Sequence, residues 1–322
     1  MKKTIVVSAV TRGRPEMFGT LLKSLKGLST PFGIELLFCF VENDAALTIE
    51  ERVEAFSRAS GFQAVALCEA RQGIPFSRNA ALNWALNTNA DFLAFIDDDE
   101  MATEDWVANL YAEIEARALD LVGGPVVPVV TNQKLTTVEA LVLRGVRLRA
   151  DKIARTNRQL KRVRSDQRVT IVTNNWLLRL NFLRREHVKF DEGLGFSGGS
   201  DAAFFRAAKK ASAKTGWVPE AVVMEEIPKS RLTLGYQFTR GRDQAISSYR
   251  VRYQDTLSLK LLVSSIFFVI SKALLGLLRI TAALFNRGGS LVLALRAFGF
   301  AWGRILAVAG YKSRHYQTVH GS

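Results

Sequence analysis

The chain has 322 residues, 48% of them hydrophobic, enough to bury a large core or a domain with an appendage. Its formal net charge of +14 suggests a nucleic-acid partner until it is divided along the chain. Residues 1–130 carry 11 Lys and Arg against 18 Asp and Glu, whereas residues 131–322 carry 33 against 12. An acidic first half is a poor nucleic-acid surface, and the basic second half points instead to a membrane surface, a phosphate-bearing ligand, or both.

The opening MKKTIVVSAVTRGRP has two lysines before an apolar run, as a secretory signal does. The run ends at Arg12 and has strand composition, so it is read as the first strand. Residues 4–10, 34–41, 62–68 and 92–96 are short, apolar and rich in β-branched or aromatic side chains, which predicts buried parallel strands. Helical patterns fall between and after them at about 16–28, 48–59, 75–88 and 103–117. This alternation predicts an α/β fold, a Rossmann-like open, mostly parallel sheet with helices on both faces. Cys39 and Cys68, each in an apolar run, are expected to be buried reduced thiols.

Ligands of such a sheet bind beyond the carboxyl ends of the strands, at Thr11-Arg12, Glu42-Asn43-Asp44, Glu69 to Gly73 and Asp97-Asp98-Asp99. The acidic run Asp97-Asp98-Asp99-Glu100 is the sharpest local feature. Alternation would turn Asp97 and Asp99 to one side, giving two hard oxygen ligands for Mn²⁺ or Mg²⁺ on a diphosphate. The competing reading is a solvated acidic turn.

The strand followed by TRGRP, then VEND, GIPFSRNAALNWAL, FIDDDE and GGSDAAFFRAA occur in the order of the motifs of glycosyltransferase family 2, which the chain resembles over roughly residues 4–245. Within that family it looks most like bacterial exopolysaccharide transferases of the succinoglycan kind. The resemblance implies a GT-A fold. It also implies that Thr11, Glu42 and Asp44 line the nucleoside pocket, that Arg78 approaches the nucleotide, that Asp97 lies near the ribose and diphosphate, and that Asp99 holds the metal. Arg12 and Asp98, beside these positions, and Arg240 further on are expected to contact the donor as well, and Arg71 faces either the donor or Glu69. The family usually has Asp where this chain has Glu42.

In GGSDAAFFRAA the glycines allow a tight turn and Asp201 falls at the positive end of a helix, where a carboxylate can accept a proton from an attacking hydroxyl. The family usually places Glu-Asp here, and this chain has Ser200-Asp201. Asp201 is therefore the candidate catalytic base for displacement with inversion; merely capping the helix is its alternative.

Gln237 and Arg240 have the spacing of the QxxRW signature of processive synthases, but Gly241 stands where the tryptophan would be. A single addition is expected, with Arg231, Arg240 and Arg242 available to clamp donor or acceptor phosphates. Residues 144–168 hold ten basic and two acidic residues, read as a contact for lipid head groups or a lipid diphosphate, or as a solvated helix. Trp176 is either a stacking platform for an acceptor sugar or a core residue.

From about 256, apolar runs are broken by Lys260, Lys272, Arg279, Arg287, Arg296 and Arg304, the longest uncharged run being 261–271. Helices lying in the membrane interface, apolar side down and basic side up, are expected rather than spanning ones; the alternatives are an ordinary helical hairpin packed on the domain and a shallow or re-entrant insertion. The expected organisation is a catalytic domain over 1–250, with a nucleotide-sugar half (1–130) and an acceptor half (131–250), then a membrane-associated helical region over 251–322. The expected partners are a nucleotide-sugar donor, a polyprenyl-diphosphate-linked saccharide acceptor and the anionic cytoplasmic face of a bacterial inner membrane. The alternatives are transfer to a polyprenyl phosphate, or a non-catalytic basic protein binding membrane or nucleic acid. His187, His315 and His320 are dispersed and offer no zinc site or hydrolytic triad.

Overall fold

The computed structural model describes residues 2–131, 133–195, 198–253 and 258–311. Phe196 and Ser197, at the start of the FSGGSD segment, and His315 and His320 lie outside the described residues.

In chain order, the first half contains β1 (Lys3–Thr11), α1 (Pro15–Leu25), β2 (Ile34–Glu42), α2 (Glu50–Ser60), β3 (Gln63–Cys68), α3 (Ile74–Asn87), β4 (Phe92–Ile96), β5 (Glu100–Ala102), α4 (Trp106–Ala116), β6 (Leu121–Gly123) and β7 (Val126–Val129). The second contains α5 (Thr137–Arg162), β8 (Asn175–Arg179), α6 (Leu180–Glu186), α7 (Ser200–Lys210), β9 (Thr215–Trp217), β10 (Val223–Glu226), α8 (Leu234–Tyr253), α9 (Leu259–Ala283) and α10 (Gly289–Val308).

The main sheet runs β3-β2-β1-β4-β8-β6-β9 and is mixed α/β in character, with a parallel block β3-β2-β1-β4. Only β8 runs against its neighbours, β4 and β6. Because successive side chains alternate along β1, Ile5, Val7 and Ala9 enter a core with α1, α2 and α4, while Val6 enters a second core with α3, α6 and α7. Both faces are thus covered, which is why these strands read as continuous apolar runs. A smaller sheet, β5-β10-β7, sits beside the main one. Its strands are three or four residues long, too short to show a period in the sequence.

Local signals account for the helix ends. Pro15 opens α1, Gly61 closes α2 in the left-handed region at φ 76°, and Thr136 with Glu139 forms a reciprocal capping box at the start of α5. Strand order reverses between β1 and β4, so the crevice at their carboxyl ends lies between Thr11 and the acidic run after Ile96.

The C-terminal hairpin corrects one expectation. The helices α9 and α10, of 25 and 20 residues, are long and apolar enough to cross a membrane by length and composition. Their basic side chains do not form an outward stripe. Lys272 lies over the Phe300 ring of α10, Arg279 donates to the Leu293 carbonyl of α10, Arg296 faces α8, and Arg304 is buried over Tyr249 and Phe268. These four cations occupy the seams between helices while Lys260 and Arg287, near the ends of the hairpin arm, are exposed, and the outward face of α9 beyond Lys260 is apolar, including Leu262, Ile266, Phe267, Ile270, Leu274 and Leu278.

Two smaller expectations also change. Cys39 is buried, and burial pushes its thiol up to about 12, but Cys68 is exposed at the end of the edge strand β3. Trp176 is a core residue, packed on Phe95, Phe190 and Phe204.

Candidate functional site

The site forms where β1 and β4 part. The strand β4 ends at Ile96, and Asp97 to Asp99 form a turn in which the Glu100 N–H donates to the Asp97 carbonyl. Strand alternation therefore does not sort these carboxylates; arginines do. Asp98 accepts from the Thr11 hydroxyl at 2.8 Å and from Arg14 at 2.8 Å. Asp99 is ion-paired to Arg231 at 3.1 Å and lies 3.6 Å from Arg14. Asp97 faces Arg78 at 3.3 Å and keeps 42% of its side-chain surface open to the crevice.

Arg78 joins the two candidate centres. It sits in the second turn of α3, is buried, and its guanidinium bridges Asp97 and Asp201. Asp201 also accepts from the Thr173 hydroxyl. The helix that carries it, α7, begins at Ser200 after Gly199 in the left-handed region at φ 89°; Ser200 is inside the helix and no side chain caps it. Asn43 fixes the approach to α3 by donating to the carbonyls of Glu69 and Arg71 and accepting the Gly73 N–H.

Charge crowding is the dominant electrostatic feature. Desolvation by the crevice walls, opposed next by Arg78 and reinforced by Asp99, Asp201 and Asp98, raises the Asp97 carboxyl to about 7 although one side of it stays open. Burial raises Asp98 and Glu100 as well, with Arg14 opposing the shift at Asp98. Around this run lie six carboxylates, Asp97, Asp98, Asp99, Glu100, Asp201 and Glu225, against Arg14, Arg78 and Arg231. A divalent cation fits this excess of hard oxygen donors. Among the described residues no three metal-ligating side chains converge, so the protein would offer Mn²⁺ or Mg²⁺ one or two carboxylates and leave other positions to phosphate and water. Two buried polar atoms beside the acids, Asn174 Oδ1 and Arg231 Nε, have no hydrogen-bond partner among the described residues.

Other residues are placed less centrally. Glu42 is buried, accepting from the Thr48 hydroxyl at 2.6 Å and from the N–H groups of Thr48 and Ile49. It braces the entry to α2, whose N-cap position, Ile49, has no capping side chain. Asp44 and Arg12 are half-buried in the loops after β2 and β1. Arg71 is exposed and ion-paired to Glu69 at 2.8 Å and Glu192 at 3.3 Å, as the local alternative for it held. Arg240 is half-buried on α8, within electrostatic reach of Glu225 and Arg231.

Sequence reasoning missed Arg14 and Glu225, and read Arg231 as a phosphate clamp rather than as the ion-pair partner of Asp99. Arg14 follows Thr11 closely enough to be suspected, but nothing local to β10 or the turn after it marks Glu225 and Arg231 as partners of Asp99.

No family model matches the chain. It is 27% identical over 232 residues to the succinoglycan biosynthesis protein ExoM of Rhizobium meliloti, covering 72% of this chain and 70% of that one. In fold it is similar to S. aureus TarS. The structure of TarS residues 1–349 with UDP superposes with a TM-score of 0.51 at 13% identity, covering 96% of this chain and 92% of that one. The complex of the same TarS piece with UDP-GlcNAc gives 0.51 at 13%, covering 95% and 92%. A longer TarS chain gives 0.50 at 14%, and there this chain, 94% covered, spans 55% of its length. The sequence thus resembles a polysaccharide-biosynthesis protein, and the fold is that of the TarS structures.

Proposed function

We propose that the protein is a glycosyltransferase of cell-surface or exopolysaccharide biosynthesis, of the GT-A kind, moving one sugar from a UDP-sugar to a polyprenyl-diphosphate-linked saccharide with inversion. The observation that carries this is Arg78, which bridges Asp97 at the strand switch point and Asp201 at a helix start. A nucleotide pocket and a candidate base thereby share one crevice. The similarity to ExoM supports the pathway class, and the UDP and UDP-GlcNAc complexes of TarS support the donor class.

The donor diphosphate would lie at the carboxyl ends of β1 and β4, with the nucleoside toward Thr11 and Asp44 and with Arg12 and Arg78 on the phosphate side. Asp98 orients Thr11 and Arg14. Asp99 with Asp97 would hold Mn²⁺ or Mg²⁺, whose chemistry here is to neutralise the departing diphosphate. Asp201, held by Thr173 and Arg78, accepts the acceptor hydroxyl proton as that oxygen attacks the anomeric carbon. The new carbon–oxygen bond forms as the bond to the diphosphate breaks, and its electron pair leaves on the phosphate oxygen. Residues 1–250 are the catalytic part, and 251–322 are assigned to the cytoplasmic face of the membrane, to which the bare apolar face of α9 is suited.

The test is transfer of labelled sugar from a panel of UDP-sugars to a bacterial lipid extract, with Mn²⁺, with Mg²⁺, with chelator, and with Asp99→Ala. Metal-dependent transfer that Asp99→Ala abolishes supports the reading. A protein that binds anionic vesicles but no UDP-sugar under any condition is the non-catalytic alternative.

A further inference from the structure

Arg78 and Asn79 are consecutive on α3 and have different partners. A helix turns about 100° per residue, so the two side chains leave α3 in different directions. Arg78 reaches Asp97 and Asp201 in the crevice. Asn79, which is buried, reaches the stretch after α6, where Phe190 lies buried outside any helix or strand.

The main-chain groups of Phe190 belong to no ladder, and Asn79 answers both of them. Its Nδ2 donates to the Phe190 carbonyl at 3.0 Å, and its Oδ1 accepts the Phe190 N–H at 3.0 Å. The same Nδ2 donates to Glu192 at 3.0 Å. A short amide carries donor and acceptor side by side; an ionised aspartate would lose the donor, and alanine would lose both.

This clip fixes a ring. Phe190 stacks on Phe204 of α7, with centroids 4.5 Å and planes 25° apart, meets Phe95 of β4 edge to face, and packs beside Trp176 of β8. The Arg78 guanidinium lies 5.7 Å from the centre of the same ring. Phe204 stands three residues after Asp201, on a neighbouring part of the α7 surface. No side chain caps the start of α7, so tertiary contacts must place its first turn. Those contacts are Arg78 and Thr173 on Asp201, and Phe190 on Phe204. Two consecutive residues of α3 thereby hold α7 at two points, one directly and one through Phe190.

We propose that Asn79 is a positioning residue that, through Phe190, sets the first turn of α7 and keeps Asp201 in register with Arg78. Without the clip, Phe190 and Phe204 can shift and carry Asp201 away from the attacking hydroxyl, and a misplacement of about 1 Å can cost about 100-fold in rate. The catalytic meaning of this role rests on the glycosyltransferase reading. The packing route from α3 to α7 rests on the contacts of Asn79 and Phe190.

The test compares full-length Asn79→Ala and Phe190→Leu with Leu110→Ala, a truncation on α4 in the core on the other face of the sheet. Transfer is measured at saturating UDP-sugar, UDP affinity by calorimetry, and stability in urea. Both variants should lose about tenfold or more in kcat while UDP affinity stays within about twofold, because a displaced base costs rate and not donor binding. Leu110→Ala should be destabilised yet keep its kcat within about twofold of wild type. Added to Arg78→Lys, Asn79→Ala should slow transfer by less than about a further twofold, since both act on one contact. Should Asn79→Ala not fold, Phe190→Leu carries the same comparisons. An unchanged kcat, an equal loss in Leu110→Ala, or a full loss that persists beside Arg78→Lys overturns the role. If the wild type binds no UDP and transfers no sugar, the glycosyltransferase reading fails instead, and hydrogen exchange still judges the packing route. Asn79→Ala should then speed exchange at the Ala203 and Phe204 amides more than Leu110→Ala does, and equal exchange overturns it.

Discussion

Replacing Gly241 by alanine tests whether the C-terminal hairpin is an integral part of the catalytic domain. A Cβ at this position would lie 2.5 Å from the Arg296 carbonyl oxygen, 3.1 Å from its Cα and 3.2 Å from its carbonyl carbon. All three are backbone atoms, so no rotamer change relieves the clash and α10 must shift. The seam has little slack elsewhere, because a Cβ added at Gly299 or Gly303 of α10 would fall 2.2 Å from the Phe238 or Arg242 carbonyl oxygen of α8. Overpacking of this kind costs about 1–3 kcal/mol or more, against a gain of about 1 kcal/mol from replacing glycine in a helix. Gly241→Ala is therefore expected to destabilise by about 1 kcal/mol or more and to weaken the Arg296–Gln237 contact. Gly235→Ala, in the same helix with no atom within 4 Å of its Cβ, is the control and should be neutral or stabilising. Unfolding in urea with mild detergent, followed by circular dichroism, measures both. If Gly241→Ala is as stable as Gly235→Ala, the account of the α8–α10 seam is wrong.

Arg78→Lys is expected to lower transfer by about 100-fold or more, since one ammonium cannot span Asp97 and Asp201 as the guanidinium does; steady-state rates with an unchanged circular dichroism spectrum check it. Asp166, fully buried, receives Arg117 at 2.6 and 3.0 Å and the Trp217 N–H at 2.9 Å, so Asp166→Ala should cost about 3 kcal/mol in urea unfolding. Burial raises the Asp166 carboxyl, but the Arg117 hydrogen bonds and the Trp217 N–H outweigh it and hold the group below its ordinary value. With the folded value depressed, its stabilisation is full above the unfolded value of about 3.9 and fades as pH falls below that toward the folded one. The difference between wild type and Asp166→Asn should accordingly be flat from pH 7 to 5 and shrink toward pH 3. Phe267→Ser with Ile270→Ser, on the bare face of α9, should weaken sedimentation with vesicles and leave UDP affinity unchanged; equal sedimentation would remove α9 as the membrane contact.

The parallel block was legible because β1, β2 and β4 are covered on both faces and so read as apolar runs ending in polar residues. That same logic located Thr11, Asp97, Asp98 and Asp99 at the switch point. It did not reach the partners that orient them. Arg231 comes to Asp99 across 132 residues and Arg14 to Asp98 across 84, and neither distance leaves a local pattern. Glu42 looked like a ligand residue because of its place after β2, yet the uncapped start of α2 claims its oxygens. The hairpin was misjudged for a related reason. A count of charges cannot show that Arg279, Arg296 and Arg304 find carbonyl, amide and aromatic partners inside the helix seams. Gly241 in place of the synthase tryptophan was visible in the sequence, and its cause is the backbone of α10 passing where that ring would stand.

The central claim is that Asp201 accepts the acceptor proton in a crevice that binds the donor. Asp201→Asn, measured for UDP-sugar affinity and for transfer to lipid acceptor with the anomeric configuration of the product read by NMR, tests it most directly. The account predicts near-normal donor affinity, transfer reduced by a factor of about 100 or more, and an inverted product from the wild type. Transfer by Asp201→Asn at the wild-type rate, or a product of retained configuration, would contradict it.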